Sequence, residues 1–553
     1  MAIERQTPDP AQEVEDMQDM TTERSTEDID NEIIEILEGL DEEEGIHVQD
    51  DGSVILGEME EEMGAVGFSE NLAEVVSQSE LSKIYIELTA AIENDKSARK
   101  DWEKTYTDGL KYLGMKFDDG RSEPFEGASG VIHPLLGESV TQFQAQAYKE
   151  LLPPQGPVKT QVVGEYSSAV EEQAQRVKEF MNYQIVHVME EYDEDLDQML
   201  FYLPLAGSAF KKVYYDETLQ RPVSKFVAPE DLIVPYYTTD LESCPRITHV
   251  IKMPENEVKK LQAIGFYRDV RVSDGSDLSN ASGVKEEIEK LEGMEPSYDT
   301  GEVSNLYEVH CNLDLEGFED VNEEGEYTEV KLPYIVTIDS NSENILSIRR
   351  NFEEDDPMKN KIEYFVHFKF LPGLGFYGFG LTHMIGGLSK ASTSIVRQLI
   401  DAGTLANLPA GFKTRGIRIR DEDSPIQPGE FRDVDAPAGS LRDAIQPLPF
   451  KEPSSTLFNL MQYVTNAARE FADATDNVVE SGSNYGPVGT TMALLEQSSK
   501  LFAAVHKRMH EAQTKDLRIL CRLDQEYLPE SSLNYSGKKA KNAQEAHEAI
   551  RPT

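Results

Sequence analysis

Hydrophobic and polar positions alternate with two different periods along this chain, and the change of period marks its parts. From Ser79 to Leu113, Leu81, Ile84, Leu88, Ile92 and Trp102 trace an interrupted helical stripe. Pro134 then suits the first turn of a helix whose inner face carries Val140, Phe143, Ala147 and Leu151. Between Gly207 and Tyr237 the period drops to two. Ala209–Tyr215 and Val223–Val227 read as strands around a turn, and Ala228–Pro235 extends a sheet edge, where prolines are tolerated. Arg246–Val250 follows. Alternation returns at Tyr307, Val309, Cys311 and Leu313, at Tyr334, Val336 and Ile338, and at Tyr364, Val366, Phe368 and Phe370, predicting antiparallel strands with one buried face. The stretches between them, 273–301 and 314–329, are polar and are expected to be exposed, the second as an acidic hairpin loop.

Beyond Tyr377 the helical period resumes. Leu381, Met384, Ile385, Leu388, Ile395 and Leu399 define a helix that fades after Gly403, where Pro425, Pro428, Pro437, Pro447, Pro449 and two glycines exclude another long one. A second helix starts after Pro453, capped by Ser454 or Ser455, with Leu457, Met461, Val464, Ala468 and Phe471 on its inner face. The run Glu480-Ser-Gly-Ser-Asn-Tyr-Gly-Pro-Val-Gly489 breaks the pattern. Leu495, Phe502, Val505, Met509, Ala512, Leu520 and Leu523 then mark a third helix. Helix, Pro/Gly module, helix, flexible loop and long helix together give an α+β chain with a module inserted between two helices.

That order, with Glu123–Leu136 and the strands of 209–250, resembles the portal proteins of tailed phages, in particular the long-chain portals of short-tailed phages. The resemblance implies a portal fold with an α/β wing at 79–379, stem helices at 380–403 and 453–476, and an inserted β/loop clip at 404–452. It further implies a tunnel loop at 477–489 that faces DNA through Glu480, Ser481, Asn484 and Tyr485, and a long helix at 490–528. The implied function is a ring at one capsid vertex, usually of about twelve copies closed by heterologous contacts. Genome DNA would pass through it during packaging and ejection. Its implied partners are the terminase large subunit, a head–tail adaptor, capsid or scaffolding proteins and double-stranded DNA bound without sequence preference. The expected location is the virion, after assembly in the host cytoplasm.

Charge changes the picture in one respect. The chain carries 103 acidic residues against 52 basic ones, a formal charge of −51. Residues 1–78 hold 25 acids and 2 bases and few aromatics, so this segment is expected to be mostly disordered. Ile33-Ile-Glu-Ile-Leu37 within it could form a short docking helix or only a fluctuating turn. The rest is acidic too. Such a chain will not grip DNA by neutralising phosphates, which takes clustered Lys and Arg, so a role in handling DNA has to be one of passage between acidic walls.

No enzyme signature survives inspection. There is no GxxxxGK[ST] loop, dinucleotide fingerprint or GxSxG elbow, and Gly127-Ala-Ser-Gly130 reads as a plain turn. His506 and His510 sit one helical turn apart, but no HExxH or cysteine completes a metal site, and with His310 and His367 they read as surface or interface histidines. The carboxylates read as solvated faces. Cys244, Cys311 and Cys521 are too few and too scattered for a disulfide framework, which predicts reduced, packed thiols. No catalytic residue, cofactor, metal or membrane span is expected, and the start of the chain lacks the layout of a secretory signal. One segment departs from the portal pattern. Tyr535–Thr553, ending in His-Glu-Ala-Ile-Arg-Pro-Thr, resembles a short motif of type IA DNA topoisomerases, but the YxRTDS segment that bears that family's tyrosine is absent. It is read as a flexible tail at 529–553. The alternatives to a portal are therefore a topoisomerase-like DNA-processing enzyme and a structural adaptor that never encloses DNA.

Overall fold

The computed structural model describes residues 67–115, 127–162, 167–272, 283–293, 303–321, 327–340, 344–407, 451–472 and 488–527, a few single positions, and eight short stretches of paired strand. It divides into two units, 1–67 and 68–553. In the first, β1 (Ile46–Val48) pairs with β2 (Val54–Leu56) as a small antiparallel hairpin.

In the second unit the folded chain begins before Ser79. Asn71, placed by composition with the acidic segment, is buried, and its amide completes a sheet edge as a peptide group would. Its Nδ2 donates to Leu346 O at 3.0 Å, and its Oδ1 accepts from Ile348 N at 2.9 Å. Leu72 and Ala73 beside it are buried as well. Two helices follow, α1 (Gln78–Ala98), capped by Ser77, and α2 (Lys100–Lys111), with the break between them at Arg99. Helix α3 (Leu135–Leu151) begins after Pro134 and buries Val140, Phe143, Ala147 and Leu151, the face its sequence predicts. Residues 152–206, which the alternation left unassigned, form α4 (Ser168–Tyr183), capped by Ser167, and α5 (Glu191–Ala206).

The strands between α5 and α8 fall into two antiparallel sheets. Strands β3 (Ser208–Asp216) and β4 (Arg221–Val227) form a hairpin, while β5 (Leu232–Ile233) and β6 (Arg246–Pro254) open a five-stranded sheet. After α6 (Glu255–Ala263) and α7 (Gly283–Glu292), strands β7 (Val303–Leu313), β8 (Leu332–Asp339) and β9 (Ile345–Arg350) complete that sheet in the order β5-β6-β7-β8-β9. Strand β10 (Phe365–Lys369) joins β3 instead, giving the order β10-β3-β4. Helix α7 corrects the reading of 273–301 as exposed loop. Its Val284 is fully buried in the main core, beside partly buried Ile288 and Leu291 that pack against it, and one apolar face suffices to seat an otherwise charged helix.

The remaining elements are α8 (Leu381–Asn407), the short strands β11 (Gly411–Lys413), β12 (Arg418–Ile419), β13 (Val434–Asp435) and β14 (Ile445–Pro447), then α9 (Ser455–Ala472), α10 (Val488–Tyr527), β15 (Asn534–Tyr535) and β16 (Lys538–Lys539). Strand β11 pairs with β14 and β12 with β13, so the Pro/Gly-rich insert contains paired strand. Helix α8 runs four residues past Gly403. The main core lies where α3, α5, α8 and α10 meet the β10-β3-β4 sheet, with Phe143, Leu203, Phe368, Leu381, Met509 and Leu520 among its buried members.

Candidate functional site

Helices α8 and α9 flank the insert and pack against each other. They run antiparallel, since Gly403 near the end of α8 lies beside Pro453, just before α9 starts. A glycine contact fixes the start of α8. Gly207 ends α5 in the left-handed conformation (φ 81°), where glycine is favoured, and donates to Leu203 O at 2.9 Å. A Cβ on Gly207 would stand 2.3 Å from Gly378 O, and one on Gly380 would stand 2.4 Å from Pro204 O. Here backbone touches backbone, and no side chain fits between. Tyr377, just before this contact, stacks on Trp102 at 4.3 Å, donates to Leu232 O at 3.1 Å and accepts from Arg99 at 3.2 Å.

The segment 129–133 clamps the far half of α8. Ser129 N donates to Asp401 Oδ1 at 2.7 Å, and His133 N donates to Thr393 Oγ1 at 3.1 Å. Arg397 returns two bonds, from Nε to Val131 O at 2.8 Å and from Nη2 to Gly130 O at 2.9 Å. The turn at Gly127–Gly130 thus braces a helix. Helix α9 is held chiefly at its C-terminal end, where Ala468 is buried and Arg469 meets Glu138 in the first turn of α3 at 3.0 Å. Toward its start it exposes Phe458, Leu460 and Tyr463, the last at 73%. In a chain this acidic, the pair is close to neutral, its charged residues being Lys390, Arg397, Asp401, Arg469 and Glu470. Acidic walls are not what these two helices present.

Helix α10 is seated by buried polar groups. Asp516, fully buried, accepts from Ser224 Oγ at 2.8 Å and from Tyr192 Oη at 3.0 Å, with the Lys211 ammonium 3.9 Å away. Burial lowers the pKa of Lys211, and its Nζ lies over the Tyr192 ring at 3.7 Å. Gln513 donates to Leu151 O at 3.0 Å, and Gln184 donates to Asp524 at 2.7 Å. Burial pushes the carboxyls of Asp524 and of Glu230 up to about 7. Asp516, Asp524 and Glu230 are exceptions to the reading of the carboxylates as solvated faces: each is buried in a packed helix or loop.

The raised carboxyls predict a pH dependence. An acid whose folded-state pKa lies above its unfolded value, near 4, binds its proton more tightly in the folded chain. Its contribution to stability is therefore full below about pH 4 and is lost as pH rises toward 7. The thermal midpoint should fall between pH 5 and pH 8, and Asp524→Asn together with Glu230→Gln should flatten that fall. A slope unchanged in the double variant would assign the dependence to other groups.

Of the histidines read as surface or interface groups, His310 departs from that reading. His310 is buried because Tyr364 and Phe365 close the second face of the five-stranded sheet over it, at 5.5 and 5.1 Å. It sits 2.8 Å from Glu308. Burial works against the Glu308 carboxylate, but Lys212 and His310 outweigh it and hold that group well below its ordinary range. His367 is half-buried against Ser208 at 3.0 Å. His506 and His510 both meet Glu150 of α3, one on each carboxylate oxygen, which uses the spaced pair as a helix-to-helix clamp. Among the described residues no group of three His, Cys, Asp or Glu side chains is arranged to hold a metal ion, and no helix is long and apolar enough to cross a membrane. Cys244, Cys311 and Cys521 are free thiols, the first two buried. Glu480, Ser481, Asn484 and Tyr485 lie outside the described residues, in the connection between α9 and α10.

A helix pair brackets an inserted module and is rooted in a body of mixed helices and antiparallel sheets. The family model described as the phage SU10 portal protein matches residues 150–472, more than half of the chain, from the last turn of α3 to the end of α9. This chain belongs to that family of phage portal proteins. No curated protein sequence matches it significantly. It is thus a virion protein of the capsid, of the head–tail connector class that serves genome packaging.

Proposed function

We propose that copies of this chain close into a ring at one capsid vertex and that the α8–α9 pair lines its central channel as the stem. About twelve copies, the number usual for such rings, would meet through heterologous contacts that close under rotation. In this reading 79–379 is the wing and 404–452 the clip that docks the terminase large subunit and the head–tail adaptor, with 453–476 the returning stem helix. Residues 477–489 are the tunnel loop, and 490–528 form the long helix behind it. The observation that carries the reading is the antiparallel α8–α9 pair inside the matched span, rooted at the start of α8 and the end of α9 and exposing Phe458, Leu460 and Tyr463 toward the start of α9. Exposed aromatic and aliphatic side chains on a narrow helix pair suit burial against a neighbouring copy. The near-neutral pair offers duplex phosphates neither a binding minimum nor strong repulsion, so DNA slides.

Mass measurement and electron microscopy of the purified chain test the ring. Rings with a central channel are expected; monomers at every salt and protein concentration would reject it in favour of an adaptor that never encloses DNA. Deleting Ser481–Pro487 should then leave ring yield unchanged while shortening or destabilising the packaged genome. Full-length, stably retained genomes from the deletion would remove Glu480, Ser481, Asn484 and Tyr485 from any role at the DNA.

A further inference from the structure

A groove of about 740 Å³ runs between α4 and α10, a volume in the range of specific binding pockets. Its floor is apolar. Val177 and Met181 of α4 and Leu517 and Cys521 of α10 line it, and of these only Met181 is buried; the other three are partly open. The remaining wall is Pro157–Val162, a stretch outside any helix or strand. Asn182 fixes its start, accepting from Val158 N at 2.9 Å and donating to Val158 O at 3.1 Å, and Thr160 Oγ1 donates to Ala174 O at 3.1 Å. Past Val158, the backbone N–H and C=O groups of Lys159–Val162 have no hydrogen-bond partner among the described residues.

The charge of the groove runs against that of the chain. Acids outnumber bases two to one overall, yet the only carboxylate lining the groove is Glu150, which His506 and His510 already engage. Lys159 and Arg518, on opposite walls, are exposed and form no ion pair among the described residues. From His510 to Gln525 the α10 wall covers roughly 22 Å, the length of about seven residues of extended chain. We propose that the groove takes an extended acidic segment of a partner protein, its alternate apolar side chains on the floor and its carboxylates against Lys159 and Arg518. Such a segment also brings free backbone groups to Lys159–Val162, whereas a helix has spent its own on itself. The apolar floor and the unpaired bases select the same ligand, and the assignment stands independently of the ring.

Fluorescence anisotropy of a labelled synthetic peptide of alternating glutamate and valine, titrated with the full chain, tests the groove. The peptide should bind saturably although the chain carries a net charge of −51 and repels it elsewhere. Lys159→Glu with Arg518→Glu should weaken binding by about tenfold or more and leave the melting temperature unchanged, since both side chains are exposed and unpaired. A peptide with serine in place of valine should bind at least about tenfold more weakly, because it brings nothing to the floor. Equal affinity of parent and double variant overturns the proposal, as does equal affinity for the two peptides or the lack of any saturable rise. If the double variant melts below the parent, Ala174→Trp, which fills the groove from its α4 wall, decides instead: peptide binding at the parent's affinity overturns the assignment. Self-association of the parent that competes with the peptide and disappears in the double variant would put a second copy in the groove, and overturns it too.

Discussion

Replacing Gly207 by alanine should leave little soluble, folded protein. An alanine at φ 81° is strained by about 1 kcal/mol, and here that is the smaller part of the cost. The new Cβ would stand 2.3 Å from Gly378 O and 2.5 Å from Gly380 N, both backbone atoms of the segment that starts α8. Neither can swing aside as a flexible side chain could. Relief requires α5 to part from α8, which also pulls Tyr377 off Trp102 and Phe370 N off Gly207 O. A loss of at least ~3 kcal/mol is expected, in the range reserved for strain at special backbone positions combined with overpacking. Gly387→Ala, on α8 itself, is the control. Nothing lies within 4 Å of its added Cβ, and alanine is the better helix former by about 0.5–1 kcal/mol, so this variant should melt at or above the parent's temperature. If Gly207→Ala melts with Gly387→Ala, the backbone contact is not what fixes the helix pair.

Element order was legible in the sequence because it rests on local periodicity. The stripe through Val505, Met509, Leu520 and Leu523 placed α10, the prolines of 425–449 bounded the insert, and Pro134 opened α3. What periodicity could not show is partnership. The alternation at Val366 and Phe368 predicts a strand with one buried face, yet nothing local says that β10 leaves its neighbour β9 and pairs with β3, some 150 residues earlier. A period also says nothing of what covers the other face. His310 lies opposite the apolar residues of its strand and reads as a surface or interface histidine, while Phe365 and Tyr364, close only in space, bury it. One signal was available and went unread. Asp516 falls on the apolar stripe of α10 between Ala512 and Leu520, and consecutive Lys211 and Lys212 in a strand must point to opposite faces. A carboxylate on a core stripe and a lysine on a core face require partners, and each supplies the other's.

That pairing gives the second large effect. Lys211 and Asp516 are both fully inaccessible to water, and the carboxylate also accepts from Ser224 and Tyr192. Asp516→Ala would leave the ammonium without its counter-charge and two buried hydroxyls without an acceptor. Breaking one side of a buried pair costs about 3–5 kcal/mol. Lys211→Met should cost less, about 1–3 kcal/mol, because Asp516 keeps both hydroxyl donors while methionine fills the space over the Tyr192 ring. The informative variant is the double one. Lys211→Met with Asp516→Asn removes both charges and keeps an oxygen for the two hydroxyls, and replacing a buried pair by neutral groups of similar size is often close to neutral. Denaturant midpoints read through Trp102, the chain's single tryptophan, should therefore place the double variant nearer the parent than Asp516→Ala. Full additivity of Lys211→Met and Asp516→Asn would mean that the two groups do not sense each other across 3.9 Å, and that hydroxyl bonds alone seat α10 on the sheet.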